Sequence, residues 1–411
     1  AIDMRRHHGE HPRFGAMDVC PLVPVAGITM EETVAHARRL AARLADEVGL
    51  TVYCYGQAAL HPERRDLAEV RAGEYEGLAA RLADPAWAPD FGPAAFNPRS
   101  GATAVGARDF LIAYNVNLNT TSTRRANAVA FDVRERGRVK REGDPLTGEI
   151  VRDASGEPVW EPGTLASVKA IGWFIEEYGI AQVSMNLTDI SVTPIHLAFE
   201  EVAEKAAARG IRVTGSEIVG LVPLRAMLDA GRYYLARQQR SLGIPDEEIV
   251  HLAVRSLGLA DLKPFDPHQK VIEWRLRETG RPGLVDRTVA DYVHRTASET
   301  PAPGGGSAAA LAGALGAALG TMVANLSAHK RGWHHRWEEF SEWAERGKKC
   351  HEELLRLVDQ DTRAFDALLA AFRLPQGEAG RAEAIEAATR EAIEVPLAVM
   401  GESLEAMPVI E

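Results

Sequence analysis

A chain of 411 residues is longer than one ordinary hydrophobic core supports, so two or three compact units are expected. Its 46% apolar and 26% charged residues make a globular composition and exclude a disordered chain. With 47 basic against 58 acidic residues the net charge is −11, which argues against a nucleic-acid partner.

Strand-like and helix-like segments alternate as far as about residue 235. "DVCPLVPV" (18–25) reads as strand, "MEETVAHARRLAARLADEVG" (30–49) as an amphipathic helix ending at Gly49, and "LTVYCYG" (50–56) as strand. Residues 90–110 are rich in Gly and Pro and read as irregular. A strand at 110–119, "FLIAYNVNLN", precedes a helix at 122–137. The charged, Gly- and Pro-dense run 138–163 reads as a solvated surface hairpin or insertion. "TLASVKAIGWFIEEYG" (164–179) reads as a helix and 180–192 as a strand. Helix, strand and helix then follow at 193–210, 211–223 and 223–239. This rhythm is α/β. A Pro- and charge-rich stretch at 264–283 is a linker candidate, and beyond it every segment is helix-periodic, so an all-α second domain is expected. "SAAALAGALGAALGTMVANLSA" (307–328) is nearly uncharged, but its apolar residues are mostly Ala and Gly. It is expected to be a tightly packed buried helix, not a membrane span.

Several stretches carry chemistry. In "AYNVNLN" the amides Asn115, Asn117 and Asn119 alternate with Tyr114, Val116 and Leu118; in "QVSMNLT" the polar set is Gln182, Ser184, Asn186 and Thr188. Each strand has one amide-rich face, which either meets water or lines a cleft for a heteroatom-rich ligand such as a pterin. In the stretch before the first strand, Phe96 and Arg99 are suited to stack on or clamp an aromatic anion. Near the start, "RRHHGEHPRF" sets Glu10, His11 and Arg13 in a Gly/Pro loop. The spacing of His7, His8 and His11 there fixes no single face for a metal, whereas a histidine suits proton transfer near neutrality. Cys20, Cys54 and Cys350 are far apart, with no CxxC, so neither a zinc site nor a disulfide framework is expected and a reducing compartment fits. In the helical half, "PAPGGGSAAA" exposes N–H groups at a helix start, which favours anions. "LVDQDTRAF" places Asp359 and Asp361 about 200° apart around a helix. Asp361 shares its face with Leu354, Leu357 and Phe365 and is expected to be the more buried; a carboxylate there needs a partner or a purpose.

These stretches together resemble a known family. "IDMRRHHGEHPRFGAMDVCPLVPV", "AGEYEGLAARL", "WAPDFGP", "GATAVGARDFLIAYNVNLN", "AIGWFIEEYGIAQVSMNLTD" and "GSEIVGLVPLRAMLDAG" resemble glutamate formimidoyltransferase. "APGGGSAAALAGALGAALGTMV" and "LVDQDTRAF" resemble the cyclodeaminase fused to it. The resemblance implies two α/β subdomains with facing sheets (1–118 and 119–263), the linker 264–283 and an all-α helical bundle (284–411). It implies transfer of a formimino group from N-formimidoyl-L-glutamate to N5 of tetrahydrofolate, then closure onto N10 with loss of ammonia, giving 5,10-methenyltetrahydrofolate in histidine breakdown. Tetrahydrofolate would be a cosubstrate and no metal would be needed. The family's transferase acid/base falls on His11 and its cyclodeaminase carboxylate on Asp361. Its folate-binding loop falls on Gly92, Pro93, Ala94, Ala95, Phe96, Asn97, Pro98, Arg99, Ser100 and Gly101. A cytoplasmic homo-oligomer is implied, with no nucleic-acid or membrane partner. Family members start earlier and end later, so the chain is expected to be incomplete at both ends, and the 138–163 insertion is longer than in the shorter members.

Overall fold

A computed structural model describes residues 2–7, 13–25, 27–143, 147–279 and 282–411. It resolves into two compact units, Ala1–Ile112 with Asn186–Val192, and Ala113–Met185 with Thr193–Glu411.

The first unit follows the order β1 (Val19–Leu22), α1 (Met30–Val48), β2 (Thr51–Gly56), α2 (Leu67–Val70), α3 (Glu74–Leu82) and β3 (Ala102–Ala107). Helix α1 starts in a capping box: the Thr29 hydroxyl accepts from the Glu32 N–H at 3.2 Å and the Glu32 carboxylate accepts from the Thr29 N–H at 2.8 Å. It stops at Gly49, which takes the left-handed conformation (φ 72°) as expected of a C-terminal glycine. The strands form a parallel sheet in the order β1-β3-β2. Ala37, Ala41 and Ala45 of α1 pack with Val52, Cys54, Val105 and Ala107. Tyr53, Tyr55, Ala102 and Ala104 pack with Val70, Leu78 and Leu82 in a second core. With cores built from both sets of alternate residues, these strands carry no polar-apolar alternation.

That double burial corrects the reading of 90–110 as wholly irregular, because residues 102–107 are the central strand. Its small side chains are what the central position requires. A Cβ on Gly106 would stand 2.4 Å from the Tyr55 ring.

The second unit opens with β4 (Ile112–Leu118) and α4 (Thr123–Val133). The insertion then forms nested antiparallel ladders, β5 (Arg138–Val139) with β8 (Trp160–Glu161) and β6 (Arg141–Glu142) with β7 (Glu149–Ile150), a hairpin as expected. Next come β9 (Val168–Ile175), β10 (Ile180–Leu187), α5 (Ile195–Ala207), β11 (Val213–Val219), α6 (Leu224–Arg237) and α7 (Asp246–Ser256). The sheet order is β11-β4-β10-β9, with β11 antiparallel to β4. Residues 168–175 are strand, where a helix was expected from 164–179. Their burial alternates with period two, Val168, Ala170 and Gly172 inward and Lys169, Ile171 and Trp173 outward, and that period belongs to a strand. Gly172 lets α4 approach: a Cβ there would stand 2.2 Å from the Asn127 backbone nitrogen.

Residues 264–283 include the short helices α8 (Pro267–Lys270) and α9 (Ile272–Thr279), with Val271 and Trp274 buried and Val271 bridged to Val222. The remainder is helical: α10 (Val289–Thr296), α11 (Gly305–Ala328), α12 (Trp337–Phe372) and α13 (Arg381–Ile410). Helix α11 is long and apolar enough, by length and composition, to cross a membrane. One face, carrying Ala310, Ala314, Ala317 and Ala324, is buried, whereas Leu315, Leu319, Met322 and Leu326 stand outward. The glycines permit close contact, since a Cβ on Gly320 would lie 2.9 Å from the Val409 carbonyl oxygen of α13. The segment before α7 is tied to this bundle. The Leu242 N–H donates to Ser341 Oγ at 2.9 Å, Asn325 donates to the Gly243 carbonyl at 3.1 Å, and the buried Lys348 pairs with Asp246.

Candidate functional sites

In the first unit the loop from Gly92 to Gly101 is exposed over most of its length yet fixed at both ends. Gly92 and Gly101 have φ of 83° and 64°, and a Cβ would collide with the Leu50 carbonyl oxygen at 2.0 Å or that of Phe14 at 2.2 Å, so no other residue fits either place. Between them the Asn97 side chain accepts from the N–H groups of Arg99 (3.0 Å) and Ser100 (3.3 Å), a local turn held by its own asparagine. The Thr51 hydroxyl donates to the Pro93 carbonyl at 2.8 Å and the Tyr75 hydroxyl to that of Pro98 at 2.6 Å. Phe96 is half-buried, its ring 5.4 Å from that of Tyr75, so part of its surface belongs to packing. Arg99 is exposed and pairs with no carboxylate among the described residues.

What anchors the start of this loop is a residue that pattern reading passed over. The Asp90 side chain is buried and accepts from the Cys54 N–H at 2.6 Å and from Arg64 at 2.5 Å, while Arg64 lies over the rings of Tyr53 and Trp87. Removing one member of a buried pair leaves the other charge uncompensated. Asp90→Ala is therefore expected to lower stability by about 3 kcal/mol, read as the denaturant midpoint; an unchanged midpoint would show that Arg64 finds another partner. His11 lies outside the described residues. Beyond it, Arg13 pairs with Glu74 (3.1 Å) and Glu76 (2.7 Å), which raise its pKa and tie the loop's exit to α3.

In the second unit the amide-rich face forms a chain of hydrogen bonds. Trp173 donates to Gln182 (3.2 Å), Gln182 to Asn117 (2.8 Å) and Asn117 to Asp261 (3.3 Å). An indole only donates and a carboxylate only accepts, so the two ends fix the orientation of both amides between them. Asn115, Asn117 and Gln182 are buried, Ser184 is half-buried and Asn119, Asn186 and Thr188 are exposed, so the face is closed to water at its middle and open at its ends. Asp261, missed in the sequence because it lies in a turn far from the strands, completes the set.

In the helical region Asp361 meets the start of α11. Its Oδ2 accepts from the Ser307 N–H at 2.8 Å and from the Ser307 hydroxyl at 3.1 Å. The fully buried Ser307 hydroxyl also reaches the Val358 carbonyl at 2.9 Å. The anion that this helix start attracts is thus the chain's own carboxylate. Gly306 makes room for it, since a Cβ there would be 2.1 Å from Asp361 Oδ1, and that oxygen accepts no hydrogen bond among the described residues. Asp359 takes the Leu284 N–H at 2.5 Å, on a different partner as its helical angle requires. Both aspartates are half-buried, so burial alone does not single out Asp361. What separates them is the partner: Asp361 is held by both the N–H and the hydroxyl of Ser307 at the start of α11, Asp359 by a single main-chain N–H.

Three family models match in succession: formiminotransferase domain, N-terminal subdomain, over 1–108; formiminotransferase domain over 113–277; and formiminotransferase-cyclodeaminase over 288–411. The chain is 41% identical to formimidoyltransferase-cyclodeaminase of Sus scrofa over 97% of its own length and 71% of that protein's. The chain belongs to the formimidoyltransferase-cyclodeaminase family. It is also 42% identical to glutamate formimidoyltransferase of Thermoplasma acidophilum, over 57% of this chain and 69% of that one. Against methenyltetrahydrofolate cyclohydrolase of Methylorubrum extorquens the identity is 34%, over 28% of this chain and 56% of that one. In formimidoyltransferase-cyclodeaminase terms, the loop 92–101 lies in the first matched segment, the amide chain in the second, and Ser307 with Asp361 in the third.

Proposed function

We propose that the chain transfers the formimino group of N-formimidoyl-L-glutamate to N5 of tetrahydrofolate and then closes the product to 5,10-methenyltetrahydrofolate, releasing ammonia, as part of histidine degradation. The observation that carries this is the likeness to the two-activity relative over 97% of the chain, with transferase and cyclodeaminase segments in the same order. In the first step N5 bonds to the formimino carbon, loses its proton and displaces the glutamate nitrogen, which gains one; His11 handles both transfers. In the second, the formimino group enters protonated as its amidinium, N10 bonds to its carbon as the C=N double bond opens to an amine, and the bond to that amine then breaks. The N10 proton passes to the free oxygen of Asp361 and on to the amine, which leaves as ammonia with the bonding pair. Bonds to Ser307 hold the other carboxylate oxygen still, so the base is oriented before substrate arrives.

The loop from Gly92 to Gly101 binds the folate. Its support is a rigid exposed turn presenting a cation, Arg99, that no carboxylate of the described residues neutralises. Titration of Arg99→Ala with folate by calorimetry is expected to show about tenfold weaker binding, the loss of one charge-assisted hydrogen bond; unchanged affinity would remove Arg99 from the site. The protein is proposed to work in the cytoplasm as a homo-oligomer without a metal, and the outward apolar rows of α11 and of α13 (Leu397, Met400, Leu404) favour self-assembly.

A second reading is favoured by the likeness to the cyclohydrolase: the helical region hydrolyses methenyltetrahydrofolate. Supplied 5-formimidoyltetrahydrofolate distinguishes the two. Ammonia with a rise in methenyl absorbance supports the first reading, and loss of supplied methenyltetrahydrofolate without ammonia chemistry supports the second.

A further inference from the structure

Tyr292 on α10 is 8% exposed, and its ring packs in one core with Ala310 of α11 and with Leu357 and Val358 of α12. Ala310 lies one turn beyond Ser307 and Val358 one turn before Asp361, so the ring is lodged where the two helices that build the Asp361 site come together. Its hydroxyl oxygen is buried and has no hydrogen-bond partner among the described residues. Thr296 lies beside it but outside hydrogen-bond geometry to the phenol, and its own hydroxyl proton goes to the Tyr292 main-chain carbonyl at 3.0 Å. Leaving such a hydroxyl unpaired costs stability, and a phenylalanine of nearly the same shape would fill the place without that cost. The phenol therefore weakens the core it sits in. Burial, together with the carboxylates of Asp361 and Asp359, raises its pKa, so the group keeps its proton and remains a donor.

We propose that Tyr292 is a positioning residue for the ring-closing step, its unspent O–H serving to steady the Asp361 carboxylate while that group carries the proton from N10 to the leaving amine. The inference rests on the cyclodeaminase reading of the helical region. Ser307 holds one carboxylate oxygen in the resting structure, and a second donor is needed when the other oxygen turns to exchange its proton. The phenol is the uncommitted donor lodged in that core.

Tyr292→Phe in the full chain removes the oxygen and nothing else. With 5-formimidoyltetrahydrofolate supplied, kcat for methenyl formation is expected to fall about tenfold with KM unchanged, the loss of one hydrogen bond made during the reaction. The melting temperature is expected to stay level or rise, and glutamate release from formimidoyl-glutamate to continue at the parent rate. Tyr292→Leu, which also removes the ring, should lower the melting temperature, separating packing from the hydroxyl's role. Parent-rate ring closure by Tyr292→Phe overturns the inference while the activity reading stands. Absence of ring closure in the parent protein overturns both.

Discussion

His11→Ala slows formimino transfer by about 10² to 10⁴-fold. The reaction asks one group to take a proton from N5 and give one to the glutamate nitrogen, and imidazole, with an ordinary pKa near neutrality, is the side chain that does both at physiological pH. Alanine removes the shuttle, and the loop 92–101 proposed to bind folate keeps all its residues, so the affinity for folate should hold while kcat falls. The same variant, given 5-formimidoyltetrahydrofolate, should form the methenyl product at the parent rate. A variant that transfers at the parent rate would assign the proton to another residue, and one that also loses ring closure would show a general folding defect.

Asp361→Asn gives the opposite pattern. Asparagine keeps the shape and can still accept from Ser307 through its carbonyl oxygen, but its amide takes up no proton at neutral pH. Ring closure is expected to fall by about 10² or more. Glutamate release continues, and 5-formimidoyltetrahydrofolate accumulates in its place, measured by chromatography of the folates. Methenyl formation at the parent rate would make the carboxylate a clamp on α11 and nothing more. A fall in melting temperature with both activities retained would say the same.

Much of this was legible in the sequence, for reasons that differ by element. Helix α1 declared itself because its apolar period, its start near Thr29 and its stop at Gly49 all agree. The all-helical character beyond residue 284 followed from uninterrupted helical periodicity. Strand β3 was hidden because a central strand packed into two cores, with a tyrosine ring against it, consists of Ala, Thr, Val and Gly, residues that carry no strand period. Strand β9 was mistaken for a helix because Lys169, Ile171 and Trp173 on its outward face are themselves partly apolar, which blurs the alternation. At the sites, quoted motifs marked the loop 92–101 and Asp361. The partners that hold them did not show: Asp90 needs Arg64 from 26 residues earlier, and Asn117 needs Asp261 from 144 residues later. Such pairs belong to the tertiary fold and leave no local signal.

The most direct test of the two-activity account supplies the protein with N-formimidoyl-L-glutamate and tetrahydrofolate together and follows glutamate, ammonia and methenyltetrahydrofolate in one reaction. The account predicts that all three form in equal amounts, with glutamate appearing first. Glutamate without ammonia would leave a transferase with a helical appendage, and the absence of all three products would contradict the account outright.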